Sequence, residues 1–341
     1  MKFLSSAQTY KFRTNLMGDK FSYRLYYRQG GRKMNLYFGD IPICYSHSTA
    51  MALQAAGYDF RSDYLEAIMV MGNGATLVKK DDRHPLVFFD NGMPDESISH
   101  CLQILGFDYE EFFCDSSEPV NVIELKEKLK TYLDHGSVIV GPLDMGYLTY
   151  NLNHSHLRGV DHFVSVYDMD EHWIYFHDPA GYPCVKMDFR DFCKAWKAEA
   201  IDYKRGAYSM WGNLQRNKLP TSQEIYHSVS IIMKQRYENG EVGIIEDYAK
   251  TIRANGLNAE QKQLHQFFSF RLAAVRSLYL SQFLKGYDPV RADLKEKIAM
   301  LFSQAYLDSR QEAYSSLADT LMEIAQLDGQ FRDLCLQCIK G

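Results

Sequence analysis

The chain has 341 residues, of which 46% are hydrophobic and 24% charged, and its formal net charge is −5. This composition is typical of a globular protein with a sizeable core and excludes a disordered chain. The sequence has neither a dense run of lysine and arginine nor an apolar run of about 18 residues, so we expect no nucleic-acid partner and no membrane span.

Targeting and redox features are also sparse. The N-terminus lacks the apolar core of a secretory signal, which predicts a cytoplasmic protein. The seven cysteines are odd in number and scattered along the chain, unlike a disulfide framework. We therefore expect most of them to be reduced thiols.

The N-terminal part alternates short β-like runs with helices. Two aromatic-rich runs within residues 21–39 flank Gly30 and Gly31 and predict a β-hairpin. A helix is predicted to begin at Cys44 and to end at Gly57. Capping residues, terminal glycines and periodicity predict the remaining elements. The further helices are 62–72, 94–106, 121–136 and 188–199, and the strands are 85–89, 137–143, 162–168 and 173–179.

From residue 213 onward every predicted element is helical. Four or five helices are indicated by capping and stop signals, and we place the domain boundary between residues 212 and 213. We interpret residues 213–341 as a docking or dimerisation domain, so a homodimer through these helices is expected. The helix starts are Thr221 with Glu224, Asn258, Asp288 with Pro289, and Ser309 with Glu312, and Gly286 is a stop.

Cys44 stands out among the cysteines because it begins a helix just after a Gly-Asp-Ile-Pro segment. The nucleophilic form of cysteine is the thiolate, and a helix N-terminus and a nearby imidazolium both favour it. Cys335 and Cys338 form a C-x-x-C pair, but the pair lacks the βαβ context of a redox motif and a second pair for zinc.

A histidine to partner Cys44 is found in "GVDHFVSVYDMDEHWIYFHDPAG", residues 159–181. If the two alternating runs form an antiparallel hairpin that turns at Asp170, His162 lies opposite Asp178. Val164 then lies opposite Phe176, and Val166 lies opposite Ile174. These side chains share one face of the hairpin with His162 and Asp178. An imidazole and a carboxylate directly opposite each other can hydrogen-bond, and the carboxylate would orient the base. The sequence thus predicts a Cys44–His162–Asp178 triad.

Other constellations carry less weight. Each triad residue taken singly could have a purely structural role. A histidine–aspartate hydrogen bond between two strands can simply stabilise the fold, and buried cysteines are usually inert. His154, His156 and His162 lie close together, but without a carboxylate or cysteine at helical spacing they are poor evidence for zinc. His47 lies three residues after Cys44 on the same helix face, and we include it among the substrate-binding candidates.

Three segments, "CYSHSTAMALQAAG", "GPLDMGYLTY" and residues 159–181, resemble the N-terminal domain of the butirosin biosynthesis protein H family. The resemblance covers residues 36–200 by motif and the remainder by architecture. It implies an α+β, papain-like cysteine-enzyme fold with an antiparallel sheet and an N-terminal catalytic helix, followed by an all-α C-terminal domain. It also implies Cys44 as nucleophile, His162 as base and Asp178 as acid, with pocket or structural roles for Asp144 and Tyr150.

The resemblance implies an acyltransferase of secondary-metabolite biosynthesis. The acyl or aminoacyl group would arrive on the phosphopantetheine thioester of an acyl carrier protein and pass to a small-molecule amine. The enzyme itself would need no cofactor and no metal. Two departures stand in this sequence: Ile43 occupies a position where the family often has histidine, and "YFGDIP" lacks the oxyanion glutamine of papain-like peptidases.

Two alternatives to acyl transfer remain open. A papain-like peptidase or amidase would use the same triad with water as acceptor, and the missing glutamine argues against it. A degenerate domain of the same fold would serve as a scaffold without catalysis. If an oxyanion forms, the Cys44 backbone N–H needs a second donor, for which Asp40 is a poor candidate unless protonated.

Overall fold

The computed structural model describes residues 41–115 and 120–337 of the chain. The hairpin predicted within residues 21–39, the side chain of Asp40 and Cys338 lie outside the described residues. The described part is a mixed α+β protein whose C-terminal region is helical.

Helices are distributed over the whole described chain. Their bounds are α1 Cys44–Ala55, α2 Ser62–Ile68, α3 Pro94–Ile104, α4 Val122–Leu133, α5 Phe189–Trp196, α6 Ser222–Asn239, α7 Ile244–Asn255, α8 Ala259–Leu264, α9 Phe270–Leu284, α10 Pro289–Arg310 and α11 Tyr314–Gln337. A π-helical segment, His265–Ser269, joins α8 to α9.

The strands form antiparallel sheets. Their bounds are β1 Thr76–Lys79, β2 Leu86–Phe88, β3 Phe107–Cys114, β4 Val138–Asp144, β5 Asp161–Met169, β6 Trp173–Asp178, β7 Tyr182–Asp188 and β8 Ala207–Arg216. Within the described residues, β1 and β2 pair alone, and the other strands form a six-stranded sheet in the order β3-β8-β4-β5-β6-β7. The strands that carry His162 and Asp178 therefore lie side by side, with β4 as the neighbour of β5.

Helix α1 packs directly on the strand that carries His162. The Ser48 hydroxyl donates to the Phe163 carbonyl over 3.0 Å, and the rings of Tyr45 and Phe163 meet edge to face at 6.1 Å. Nearly every residue of α1 is buried. This packing brings the N-terminus of α1 to the beginning of β5.

The predicted elements around α1 are confirmed, but the sequence analysis missed four strands. Strands β3, β7 and β8 were not predicted, because their alternation of apolar and polar residues is interrupted, and β1 was not predicted because it is short and exposed throughout. β8 continues to Arg216, so the boundary predicted between residues 212 and 213 falls inside a strand. The change to an all-helical chain comes instead in the connection 217–221, before α6 begins at Ser222.

The hairpin of β5 and β6 exists, but its predicted register is wrong. Val166 pairs with Phe176 rather than with Ile174, and a bulge follows because Asp168 pairs with Tyr175. The turn accordingly lies at residues 170–172, beyond the predicted centre. On the His162 side of the bulge, each residue of β5 pairs with a β6 residue two positions away from the predicted one. Because side chains alternate between the two faces of a strand, a shift of two positions leaves each side chain on its predicted face.

The C-terminal helices follow their capping signals with one exception. Thr221 and Asn258 each form a capping box, and Asp288 caps α10 with Pro289 in its first turn. Ser309, predicted to start a helix with Glu312, instead lies in the last turn of α10. Its hydroxyl donates to the Tyr306 carbonyl over 2.7 Å, and α11 begins at Tyr314.

The sheet-bearing and helical parts share one hydrophobic core. Leu53 of α1, Leu65 of α2 and Phe163 of β5 belong to the same buried cluster as Val229 of α6 and Leu280 of α9. The helical region is therefore packed against α1 and its neighbours. None of the helices in the described ranges is both long enough and apolar enough to cross a membrane.

Candidate active site

The sulfur of Cys44 lies at the first residue of a twelve-residue helix. The residue before it is Ile43, whose side chain cannot accept a hydrogen bond, and the helix has no side-chain cap. A first turn without a cap leaves backbone N–H groups and the positive end of the helix dipole available to an anion. Cys44 is only half-buried, so a substrate can reach it.

His162 and Asp178 form a short, buried hydrogen bond. The distance from His162 Nε2 to Asp178 Oδ1 is 2.6 Å, and both side chains are excluded from solvent. A second hydrogen bond joins the ring of His162 to Cys44. The imidazole of His162 is thus in contact with both the Cys44 thiol and the Asp178 carboxylate.

The electrostatics of the pair follow from this arrangement. Burial disfavours protonation of the His162 ring, but the charges of Asp178 and Cys44 and their hydrogen bonds outweigh it and raise the pKa of His162 well above its usual value. Burial acts against the Asp178 carboxylate too, yet His162 and the other donors hold its pKa below the usual range. The two shifts together favour an imidazolium at His162 paired with a carboxylate at Asp178.

Tyr150, a predicted substrate-binding residue, faces Asp178. Its hydroxyl donates to Asp178 Oδ2 over 2.6 Å, and the Ala180 backbone N–H donates to Oδ1 over 2.6 Å. Burial and the neighbouring carboxylate raise the pKa of Tyr150 well above its usual value, so its hydroxyl stays a donor. The structure therefore gives Tyr150 the role of orienting the carboxylate that orients His162.

Asp144, a second predicted substrate-binding residue, is fully buried at the end of β4. Its Oδ1 accepts the backbone N–H groups of Gly146 at 2.8 Å and Gly159 at 2.9 Å. Its Oδ2 lies 3.5 Å from the Arg158 Nε. These contacts join the two ends of the segment 145–160, which carries Tyr150.

His47, the third predicted substrate-binding residue, is buried in the first turn of α1. Its Nε2 lies 3.1 Å from the carbonyl oxygen of Ile41, which fits an N–H that donates to that carbonyl. The contact fixes the chain that leads into Cys44. The described contact thus places the His47 side chain against the segment that precedes α1.

Two residues near the thiol were not singled out from the sequence. Asp161 directly precedes His162 and is half-buried, and the Tyr203 hydroxyl hydrogen-bonds its carboxylate. Burial raises the pKa of Asp161, and burial together with the neighbouring Asp161 and Cys44 side chains raises the pKa of Tyr203. The position of Asp161 next to His162 was a signal in the sequence, but nothing in the sequence linked it to residue 203.

The clustered histidines do not form a metal site within the described residues. Among residues 41–115 and 120–337, no group of three or more histidine, cysteine, aspartate or glutamate side chains is arranged to hold a metal ion. His154 Nδ1 lies 2.9 Å from the Gly146 carbonyl and fits a donor to it. The third of these histidines, His162, is hydrogen-bonded to Asp178 instead.

Fold and site together define an α+β protein with a cysteine–histidine–aspartate constellation at a helix start and a helical C-terminal region. A family model described as the YobF C-terminal domain matches residues 239–336. The YobF protein of Bacillus subtilis (strain 168), described as uncharacterized, is 32% identical over 309 residues, which cover 88% of this chain and 97% of that protein. The chain belongs to the YobF family.

Proposed function

We propose that this protein is a papain-like cysteine acyltransferase, which moves an acyl or aminoacyl group from a thioester to an amine. The observation that carries the proposal is the ordered contact of Cys44, His162 and Asp178, in which the imidazole bridges a helix-starting thiol and a buried carboxylate. Nucleophile, base and orienting group within hydrogen-bond reach are the signature of covalent catalysis.

The first half-reaction forms an acyl-enzyme. His162 takes the proton of the Cys44 thiol, and the thiolate attacks the thioester carbonyl of the donor. The tetrahedral intermediate collapses with cleavage of the donor carbon–sulfur bond, and the donor sulfur leaves with the proton from His162. The Cys44 backbone N–H at the uncapped helix start is suited to stabilise the oxyanion.

The second half-reaction forms the amide. A neutral amine attacks the acyl carbon of the Cys44 thioester, His162 takes the amine proton, and the carbon–sulfur bond breaks. The same proton returns to the Cys44 sulfur, so the enzyme ends as it began. Exchange between two thioesters is nearly balanced in energy, so an enzyme of this kind needs less oxyanion stabilisation than a peptidase, in line with the absent glutamine.

The donor we propose is an acyl carrier protein with phosphopantetheine, and the acceptor is a small amine. A dimer through the C-terminal helices remains part of the proposal. The enzyme would need no cofactor of its own, because the pantetheine thiol comes with the donor.

The proposal predicts a covalent intermediate that intact-mass spectrometry detects. The protein is mixed with N-acetylcysteamine thioesters of several acyl and aminoacyl groups, which mimic the pantetheine end of a carrier. We expect a mass increase equal to one acyl group, mapped to Cys44, and amide formation when an amine is added.

Two variants serve as controls for this experiment. Cys44→Ala should abolish the adduct, whereas Cys184→Ala, which removes an exposed thiol, should leave it unchanged. Absence of any adduct on Cys44 with all acyl groups tested argues against the acyltransferase. Release of free acid at the same rate with and without amine indicates the hydrolase instead.

A further inference from the structure

An arginine of the helical region enters a buried cluster directly behind the nucleophile. Arg276 lies in the middle of α9, which packs along α2. Its side chain reaches Glu66 at the end of α2 and Asp90 just after β2. Both carboxylates and the guanidinium are almost completely excluded from solvent.

The cluster is closed by the two residues that follow Cys44. The Tyr45 and Ser46 hydroxyls donate to the two Glu66 carboxylate oxygens, each at 2.5 Å. Arg276 Nε donates to Glu66 Oε1 over 2.8 Å, and its Nη2 donates to the Tyr45 oxygen over 2.6 Å. Residues 45 and 46 are thus bonded to a charge pair that spans the two parts of the chain.

The third nitrogen of Arg276 completes the arrangement. Its Nη1 lies 2.8 Å from Asp90 Oδ2, so one planar guanidinium contacts two carboxylates and one phenol at once. The space around it is tight, since a Cβ added to Gly72 would lie 2.6 Å from Arg276 Cβ. A lysine, with a single point of charge, cannot reproduce this fork of donors.

We infer that Arg276 is a positioning residue, which fixes the rotation of the first turn of α1 and thereby aims the Cys44 sulfur at His162. The inference rests on the proposed function in that it takes Cys44 as the reactive thiol. Its content is separate: a residue of the C-terminal helices completes the active site from behind, so those helices do more than dock a partner. Buried, hydrogen-bonded charges specify one geometry only while every member is present.

The test measures the alkylation rate of Cys44 by iodoacetamide, relative to that of exposed Cys184 in the same sample, from pH 5 to pH 9. Because displacement of a reacting group by about 1 Å can slow a reaction by a large factor, we expect Arg276→Met to lower this ratio at least about tenfold. Arg276→Lys should restore it in part. Tyr45→Phe, which removes one hydroxyl and no charge, should lower it by a smaller factor.

A matched control is Arg291→Met. Arg291 is an equally buried arginine of the helical region, bonded to Asp288 at the start of α10 and to the Tyr226 hydroxyl of α6, neither of which lies on α1. We expect Arg291→Met to leave the ratio within about twofold of the wild type, since its partners are remote from the site. Circular dichroism and the reactivity of buried Cys101 and Cys193 identify any variant that has unfolded.

The outcomes separate this inference from the proposed function. A folded Arg276→Met protein with an unchanged ratio and pH profile overturns the inference while the wild-type reactivity of Cys44 still stands. If Arg276→Met does not fold, Tyr45→Phe decides, and an unchanged ratio there overturns it. A wild-type Cys44 that reacts no faster than Cys184 would instead count against the proposed function.

Discussion

Asp178 is fully buried and accepts three hydrogen bonds, which makes it the most constrained residue of the site. His162 and the Ala180 backbone N–H share Oδ1, and the Tyr150 hydroxyl holds Oδ2. A carboxylate held in this way can rotate little, so it fixes the plane of the His162 ring. The charge of Asp178 matters for the stability of the fold as well as for the proposed reaction.

We predict that Asp178→Asn destabilises the fold in a pH-dependent manner. Because the folded-state pKa of His162 is raised, the pair's stabilisation is fully present below the usual histidine value of about 6.5 and is lost as pH rises through the folded-state pKa. Because the pKa of Asp178 is lowered, its stabilisation is present above the usual aspartate value of about 3.9 and is lost as pH falls through the folded-state pKa. The window in which both contribute fully therefore runs from about pH 3.9 to about pH 6.5.

Urea denaturation at pH 5.5 and at pH 9.5 measures this effect. We expect Asp178→Asn to lower the free energy of unfolding by about 3 kcal/mol at pH 5.5, the cost of breaking a buried ion pair, and by less at pH 9.5. Tyr150→Phe, which removes a hydrogen bond but no charge, should cost about 1 kcal/mol at both values. An equal loss for Asp178→Asn at the two pH values contradicts the ion pair.

The sequence analysis predicted that Cys44, His162 and Asp178 lie together, but it did not predict the residues that hold them in place. Cys44 could be singled out because Pro42 before it and Gly57 after the apolar run predict a helix that begins at Cys44. His162 and Asp178 could be paired because strand alternation keeps residues an even number apart on one face. Tyr203 and Arg276 could not be found, since each reaches the site from a distant part of the chain through a tertiary contact.

At the scale of elements, the β5–β6 hairpin shows why an incorrect register still gave the correct pair. By the pairing of Ser165 with His177, His162 and Asp178 are diagonal neighbours rather than directly opposite ones. Diagonal positions on one face are within reach of long side chains. A bulge such as the one near Asp168 adds a residue to one strand, and alternation alone does not locate it.

The segment 145–160 is a second element whose geometry serves the site. Asp144 bonds backbone groups at both ends of this segment, and Tyr150 within it bonds Asp178. We predict that Asp144→Ala lowers the free energy of unfolding by about 3–4 kcal/mol, because two hydrogen bonds to a buried carboxylate are lost. Limited proteolysis should show faster cleavage within residues 145–160.

Asp188→Ala provides the matched comparison for this prediction. Asp188 is a carboxylate that caps α5 by accepting from the Arg190 and Asp191 backbone N–H groups, and neither of these groups lies within residues 145–160. Loss of a cap costs about 1 kcal/mol, and cleavage within 145–160 should not change. Equal proteolysis of both variants would show that Asp144 does not hold the segment.

At the scale of the whole molecule, the six-stranded sheet and the helical region are one packed unit. The C-terminal helices contact α1 through this shared core and through the hydrogen bond from Arg276 to Tyr45. The sequence indicated the two compositions but not this contact, because helix capping signals describe where helices begin and not what they pack against. In the described residues, the sheet and the helical region thus share one buried cluster next to the helix that begins at Cys44.

The cysteines of the whole chain differ in their surroundings, and this difference permits a direct test. Burial raises the pKa of Cys193 to about 12 and raises that of Cys101 further, so neither thiol should react at neutral pH. Cys184 is exposed, and its backbone N–H donates to His177 Nδ1 over 3.0 Å. Cys44 alone among the described cysteines combines access with the His162–Asp178 pair.

Competitive alkylation of the intact wild-type protein by iodoacetamide at pH 7, read out by peptide mapping, therefore tests the central claim most directly. We predict that Cys44 is modified first, at least about tenfold faster than Cys184, and that His162→Ala removes this advantage, because the imidazolium favours the thiolate. Equal rates for Cys44 and Cys184 in the wild type, or an advantage that persists in full in His162→Ala, would contradict the account.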